Sequence, residues 1–309
     1  MKKLISIIIP CYNEEETIDK LYKEIIKVTK KIKEVNFELL FIDDGSKDKT
    51  LKIVKKLSEK DNKVRYISFS RNFGKEAAMY AGLKESKGDY VAIIDADMQD
   101  PPEKIIEMYE ILKEKEYDCV ALYTKKHRDY NFIRRFLTFI WYKVIKVLAS
   151  VEQKPGARDY RLMTRQMVDA ILDLEEYNRY SKGIFSFVGF NTKWLEVETN
   201  NRIAGKSKFN LYKLFKYSLE GIIAFSTKPL VLSAILGLFL CLIAFIFIII
   251  IIVKTVIYGD PVSGWPSLAC IVIFIGGLNL FFMGILGLYL SKTYSEVKNR
   301  PIYIVKEKK

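Results

Sequence analysis

The residues of this chain that could carry chemistry are acidic pairs that directly follow short apolar runs. Asp43 and Asp44 follow one run, and Asp95 and Asp97 follow another, with Gln99 two residues further on. Two carboxylates so close together supply hard oxygen ligands for a divalent cation and leave positions for water and phosphate oxygens. A single Asp-x-Asp also fits a solvated turn, so the metal hypothesis depends on whether the acidic segments meet in the fold.

The elements that must position these residues are apolar, β-branched runs that alternate with amphipathic helical segments such as the one at about 15–33. This alternation predicts an α/β fold in which a mostly parallel sheet carries helices on both faces. Because such sheets bind ligands beyond the carboxyl ends of their strands, segments 10–14, 43–46 and 95–103 should meet at one edge. That meeting favours a metal site over three separate turns. The predicted strands are 4–9, 37–42, 64–69, 90–94 and 118–122.

Two stretches near the C-terminus, 230–253 and 266–291, contain no charged residue. Each is long enough to cross a bilayer, since about 20 apolar helical residues span a hydrocarbon core of about 30 Å. The alternative, a hairpin of helices buried in a protein core, is disfavoured by the length of both runs. Lys and Arg flank the pair on either side, which predicts that both termini and the large N-terminal part are cytoplasmic.

The predicted organisation has three parts. Residues 1–227 form the catalytic domain, 228–291 form two transmembrane helices at about 229–253 and 266–290, and 292–309 form a basic cytosolic tail. Within the first part, segments near 131–149 and 209–225 combine apolar faces with basic residues, as interfacial helices do. The alternative is that their apolar faces pack on the catalytic domain.

The composition agrees with a membrane protein of a reducing compartment. Lys and Arg number 50 against 37 Asp and Glu, a net charge of +13 at pH 7. Beside apolar spans, this excess indicates attraction to anionic headgroups and phosphates, and no nucleic-acid motif accompanies it. The four cysteines show no metal-ligand spacing, and the first apolar run is too short for a signal peptide.

Six motifs carry a family resemblance. The first three, at 8–14, 42–50 and 95–103, resemble the family 2 inverting glycosyltransferases. Segments 159–163, 182–185 and 202–209, followed by the hairpin, resemble the polyisoprenyl-phosphate glycosyltransferases, which include the bactoprenol glucosyl transferases and dolichyl-phosphate mannose synthases. The motifs stand in the family's order from Leu4 to about Ser291. The resemblance implies a GT-A fold and transfer of a hexose from a nucleotide-diphosphate sugar to undecaprenyl or dolichyl phosphate, with Mg²⁺ or Mn²⁺.

The resemblance also implies roles for individual residues. It assigns metal binding to Asp95, Asp97 and Gln99, and places Asp97 and Asp159 in the catalytic centre. For Asp159, a salt bridge to Arg158 or Arg161 that shapes a loop is an equal alternative. The residues assigned to the nucleotide sugar are Pro10, Tyr12, Glu14, Ile42, Asp44, Asp95, Ala96, Arg202 and Lys208.

The acceptor side shows one departure from the family pattern. Dolichyl-phosphate mannose synthases carry a phosphate-contacting Arg just after the strand that ends near residue 122, where this chain has Lys125 and Arg128. These two residues, together with Arg134 and Arg135 of the first interfacial segment, are the candidates for binding the lipid phosphate.

The sequence excludes some enzyme classes and leaves two alternatives open. It has neither a Gly-x-Gly-x-x-Gly turn nor a phosphate-binding loop, so dinucleotide enzymes and P-loop enzymes are excluded. One alternative is a non-processive transferase that acts on a glycan or a glycolipid. The other is a catalytically silent, membrane-anchored binder of nucleotide sugars. The expected partners are a nucleotide sugar, a polyisoprenyl phosphate and the bilayer, without nucleic acid, and a homo-oligomer remains open.

Overall fold

The computed structural model describes residues 2–124, 154–198, 223, 226–259 and 264–309. The predicted interfacial helices near 131–149 and 209–225 lie outside the described residues, apart from residue 223. The described part contains one sheet of eight strands. The strands are β1 Lys3–Cys11, β2 Val35–Asp43, β3 Val64–Phe69, β4 Tyr90–Ile93, β5 Cys119–Tyr123, β6 Ala157–Thr164, β7 Thr192–Glu196 and β8 Val305–Lys308.

The strand order is β7-β5-β6-β4-β1-β2-β3-β8. β1 pairs in parallel with both β2 and β4, β2 pairs in parallel with β3, and β5 pairs in parallel with β7. β6 runs antiparallel between β4 and β5, and β8 runs antiparallel along the edge of β3. The prediction of a mostly parallel sheet is therefore confirmed, whereas β6, β7 and β8 were not predicted.

Two hydrophobic clusters cover the two faces of the sheet. One cluster contains apolar side chains of three helices that cover one face of the sheet. The other cluster contains apolar side chains of the helices that cover the opposite face. Gly82 allows its helix to approach the sheet closely, because a Cβ at this position would lie 2.2 Å from Cγ2 of Ile8 on β1. The helices of this domain are α1 Ile18–Thr29, α2 Thr50–Lys60, α3 Lys75–Glu85, α4 Lys104–Lys113, α5 Arg165–Leu172 and α6 Ser181–Phe187.

Helix α1 is shorter than the predicted segment 15–33. At its start, Glu14 O accepts hydrogen bonds from Thr17 N and Ile18 N, so residues 15–17 form a turn. At its end, Lys31 N and Ile32 N bond to carbonyls three residues back, which tightens the chain out of α-helical geometry. Ile32 nevertheless remains in the core, which explains why the apolar pattern extends past the helix.

Two long helices, α7 (Lys228–Tyr258) and α8 (Trp265–Val297), form the C-terminal hairpin. With 31 and 33 residues, they measure about 46 and 50 Å at 1.5 Å per residue. Both contain stretches long and apolar enough to cross a membrane, and none of the residues in those stretches is buried by the rest of the described chain. This exposure argues against the alternative of a buried core hairpin.

The segment after the hairpin returns to the sheet of the N-terminal domain, where only a basic tail was predicted. The backbone of β8 pairs with β3, and the Tyr303 ring stacks on that of Phe69 with centroids 4.9 Å apart. Ion pairs of 2.7 Å join Lys55 to Glu307 and Lys308 to Glu85. Three of the four residues of β8 are charged, so no apolar pattern marked it as a strand.

Candidate active site

The acidic segments meet at one edge of the sheet, as the strand order predicts. Cys11 at the end of β1 pairs with Asp43 at the end of β2, and Asp44 N donates to Cys11 O over 2.9 Å. On the other side of β1, Ile8 pairs with Ile93, the last residue of β4. The carboxyl ends of three parallel strands thus bring the predicted nucleotide and metal residues to one place.

Three hydrogen bonds join the segment after β1 to the segment after β2. Asn13 N donates to Ser46 Oγ over 3.0 Å, Lys47 N donates to Asn13 Oδ1 over 2.8 Å, and Glu14 N donates to Thr50 Oγ1 over 2.8 Å. Asn13 has a φ of 55°, a conformation that Asn tolerates better than most residues.

Among the predicted nucleotide residues of this region, Tyr12 and Glu14 are partly exposed, whereas Pro10 and Ile42 are buried. Ile42 is fully buried, backbone and side chain together, so it offers a ligand no exposed surface in this structure. The Ile42 carbonyl already accepts from Cys11 Sγ at 3.3 Å.

Asp44 is held by the turn that leads into α3. Its carboxylate accepts hydrogen bonds from Phe73 N at 2.6 Å and Gly74 N at 2.9 Å. Gly74 has a φ of 99°, which glycine adopts at low cost. Burial raises the pKa of Asp44 to about 6, against the opposing effect of these two N–H groups, and Asp43 raises it further.

Asp95, Asp97 and Gln99 follow β4 in a tight turn. Gln99 N donates to Asp97 Oδ1 over 3.1 Å, and Met98 between them has a φ of 58°. The side chains of all three predicted metal ligands are partly exposed, while Ala96 is buried. The turn therefore presents oxygen ligands at the surface of the cleft.

Asp159 comes to the same site on β6. In the antiparallel pairing of β6 with β4, Arg161 lies opposite Ile93, so Asp159 stands just past the end of β4, beside Asp95. A single lysine, Lys75 at the first turn of α3, joins the two carboxylates. Its Nζ lies 2.6 Å from Asp95 Oδ1 and 2.5 Å from Asp159 Oδ2.

The electrostatics of this trio favour the charged forms of Lys75 and Asp159 but oppose the charge on Asp95. Burial opposes the charge on Lys75, but Asp159 and Asp95 outweigh it and raise the pKa of the Lys75 amine. Burial also opposes the charge on Asp159, but Lys75 and Lys182 outweigh it, so the pKa of Asp159 lies below its usual range. The pKa of Asp95 is raised, because burial outweighs Lys75 and because Asp159 and Asp97 add negative charge nearby.

The alternative of a salt bridge from Asp159 to a neighbouring arginine is not what the structure shows. Arg158 pairs with Asp100 and donates to Thr124 Oγ1 over 2.9 Å. Arg161 Nε donates to the backbone oxygen of Asp159 over 3.3 Å, and its guanidinium lies 3.6 Å from the centroid of the Phe185 ring. The cationic partner of the Asp159 carboxylate is therefore Lys75 and not a neighbouring arginine.

Lys75 is the functional candidate that the sequence analysis missed. It is the first residue of α3 and lies six positions after Phe69, the last residue of β3, another parallel strand whose carboxyl end points to the same edge. A basic residue at a carboxyl end was the available signal, but only acidic residues and the family motifs were considered. Six predicted residues, Lys125, Arg128, Arg134, Arg135, Arg202 and Lys208, lie outside the described residues.

The donor set at this edge fits a hard divalent cation. In the described ranges, no group of three or more His, Cys, Asp or Glu side chains is arranged to hold a metal ion. Asp95 and Asp97 would each supply carboxylate oxygens. A cation bound there would complete its coordination shell with oxygens of a diphosphate and of water, as Mg²⁺ does in phosphate-transfer sites. The Lys75 ammonium against Asp95 shows that positive charge is stabilised at this place.

Residues 6–172 match glycosyl transferase family 2, and the chain belongs to this family. It is 40% identical over 304 residues to the SfII prophage-derived bactoprenol glucosyl transferase of Shigella flexneri, covering 98% of this chain and 97% of the relative. It is 39% identical over 306 residues to the prophage bactoprenol glucosyl transferase homolog of Escherichia coli (strain K12), covering 99% of both.

A solved structure shares the fold alone. The crystal structure of mannosyl-3-phosphoglycerate synthase from Rubrobacter xylanophilus superposes with a TM-score of 0.50 at 16% identity, over 71% of each chain. This similarity agrees with the predicted GT-A type of α/β fold.

Proposed function

We propose that this glycosyltransferase moves a hexose from a nucleoside-diphosphate sugar to a polyisoprenyl phosphate at a membrane surface, with inversion at the anomeric carbon. The observation that carries the proposal is the match to bactoprenol glucosyl transferases over nearly the whole chain, hairpin included. The acidic edge of the sheet supports a donor site, and the two apolar helices support access to a lipid acceptor.

The donor would bind along the ends of β1, β2 and β4. In this proposal Pro10, Tyr12, Glu14, Ile42 and Asp44 surround the nucleoside, and Arg202 and Lys208 neutralise the diphosphate. Mg²⁺ or Mn²⁺, held by Asp95, Asp97 and Gln99, would supply charge neutralisation on the leaving diphosphate.

Asp159 would place the acceptor. A lipid phosphate is already an anion at neutral pH, so positioning matters more than proton removal. Lys75 holds the Asp159 carboxylate next to Asp95, between the predicted donor and acceptor sides. Lys125, Arg128, Arg134 and Arg135 are proposed to attract the lipid phosphate.

A three-acceptor assay tests this function against its alternatives. Membranes containing the full chain would receive labelled nucleotide sugars together with a polyprenyl phosphate, a diacylglycerol or a soluble glycan. Label should appear in the lipid extract only with polyprenyl phosphate. Transfer to either other acceptor would instead support the non-processive transferase, and binding without any transfer would support the silent binder.

We also propose that the catalytic domain and both termini are cytoplasmic. β8 pairs with β3, so the C-terminus lies on the same side as the catalytic domain. A reporter that works only in the cytoplasm should be active when it is fused after Lys309. A reporter that works only outside the cytoplasm should be active when it is inserted at Gly259. A fusion after Lys309 that is extracytoplasmic would contradict the two-span arrangement.

Donor binding should depend on pH through Asp44. If a nucleoside group donates to this carboxylate, binding requires the ionised form, and with a pKa of about 6 affinity falls as the pH drops. About one tenth of Asp44 is ionised at pH 5 and about nine tenths at pH 7, so affinity should be roughly tenfold weaker at pH 5.

Calorimetric titrations of wild type and Asp44→Asn would measure this effect. The nucleotide phosphates titrate equally with both proteins, so the difference between the two pH profiles isolates Asp44. Parallel profiles would show that the Asp44 carboxylate does not receive the nucleoside.

A further inference from the structure

The C-terminal end of helix α8 is bonded directly to a loop of the catalytic domain. The Glu296 carboxylate accepts three hydrogen bonds, from Tyr177 N at 2.9 Å and from Asn178 N and Nδ2, both at 3.0 Å. Lys292, one turn earlier, donates from Nζ to Asn178 Oδ1 over 3.0 Å. Both carboxylate oxygens of Glu296 and both polar atoms of the Asn178 side-chain amide thus form hydrogen bonds. We call this set of contacts the Glu296 latch.

The latch lies beyond the apolar part of the helix. Residues 266–291 contain no charge, and at 1.5 Å per residue they already exceed the thickness of a hydrocarbon core of about 30 Å. Lys292 and Glu296 fall in the last two turns of α8. The helix therefore emerges from its apolar stretch and ends against the catalytic domain.

The same loop is anchored at its other end to α3, the helix that begins with Lys75. The Arg179 guanidinium lies 4.2 Å from the centroid of the Tyr80 ring on α3 and donates to Ile171 O over 3.4 Å. Ser181 N donates to Glu76 Oε2 over 2.9 Å. Glu76 follows Lys75 on α3, and Lys182 lowers the pKa of Asp159. Six residues, 177–182, therefore join the membrane helix to the surroundings of Lys75 and Asp159.

We propose that Glu296 is a positioning residue that sets the acceptor side of the site at a fixed place relative to the membrane hairpin. Without the latch, Arg179 and Ser181 still anchor the loop to α3, so the site itself stays intact. What is lost is the direct contact between α8 and this loop; β8 still joins the chain after α8 to β3, so the site stays attached to the hairpin but is oriented less firmly relative to the lipid surface. This inference rests on the proposed lipid-phosphate acceptor.

The test compares two acceptors with one variant. For purified Glu296→Ala in lipid vesicles, the apparent KM for a long-chain polyprenyl phosphate should rise about tenfold, equivalent to ~1.4 kcal/mol. The kcat, the donor affinity and the KM for a short, water-soluble prenyl phosphate should change by less than about twofold, because a soluble acceptor needs no fixed membrane geometry. In hydrogen exchange, the amides of Tyr177 and Asn178 should lose protection.

Two further variants keep the test decisive. Asn178→Ala removes the amide that both Lys292 and Glu296 contact and should show the same pattern with a smaller effect. Lys298→Ala is the matched control, since Lys298 lies at the same helix end with its Nζ 4.1 Å from the ring centroid of Tyr294 on its own helix; it should behave as wild type.

An equal rise in KM for both acceptors, or an unchanged KM for the long-chain acceptor, would overturn the positioning role. A wild-type protein that transfers sugar to neither prenyl phosphate would refute the proposed function instead, so the two failures are distinguishable.

Discussion

Asp97→Asn should abolish sugar transfer. The substitution keeps the shape of the side chain and its contact with Gln99 N, but it removes one of the two carboxylate charges proposed for the cation. Loss of a group that stabilises charge in the transition state typically costs on the order of 10²- to 10³-fold in kcat. Initial rates measured across a titration of Mn²⁺ should stay at or near background at every concentration.

The matched control is Glu107→Gln. Glu107 is an exposed acid on α4, paired with Lys104 at 2.7 Å, so its replacement removes the same charge from the same domain outside the proposed site. It should retain wild-type rates. Full activity of Asp97→Asn in saturating Mg²⁺ or Mn²⁺ would refute the metal assignment.

Lys75→Met should lower kcat by on the order of 10²-fold, as removal of a preorganised charged group does. Lys75 Nζ holds Asp95 and Asp159 together, and without it two neighbouring carboxylates repel each other. The acceptor-side Asp159 would then lose its fixed orientation. Steady-state rates with donor and acceptor varied separately would measure the effect.

A second readout separates this role from general damage to the fold. Mn²⁺ binding, followed by electron paramagnetic resonance without donor or acceptor, should be tighter in Lys75→Met, because the ammonium no longer competes for Asp95. Lys75→Arg keeps the charge and should recover part of the rate. Lys84→Met, an exposed lysine near the end of the same helix, should leave both rate and Mn²⁺ affinity unchanged. Wild-type turnover in Lys75→Met would show that the bridge has no part in transfer.

The parallel core of the sheet could be predicted because its signals are local. The predicted strand 64–69 coincides with β3. The ends predicted for the strands 4–9 and 37–42 lie within about two residues of the ends of β1 and β2. A strand buried on both faces must be a continuous apolar run, and such runs are visible in the sequence. Their order placed the acidic segments at one edge, and the pairing of β1 with β2 and β4 confirms that placement.

The parts that were missed depend on contacts between distant residues. β6 carries Arg158, Asp159 and Arg161, so it resembled a polar motif rather than a strand, and its place between β4 and β5 follows from pairing alone. Lys75 meets Asp159 across 84 positions of the chain. Glu296 meets Asn178 across 118. No periodicity in the sequence reports such pairs.

The most direct test of the proposed function is a reconstituted reaction with product analysis. The purified full chain would be placed in vesicles with undecaprenyl phosphate, a nucleoside-diphosphate hexose and Mn²⁺, and the lipid product and released nucleotide would be quantified together. We predict a product in which one hexose, with the inverted anomeric configuration, is joined to undecaprenol through a single phosphate. One nucleoside diphosphate should be released for each molecule of this product. Nucleoside diphosphate released without any glycosylated lipid phosphate, or a product with retained configuration, would contradict the account.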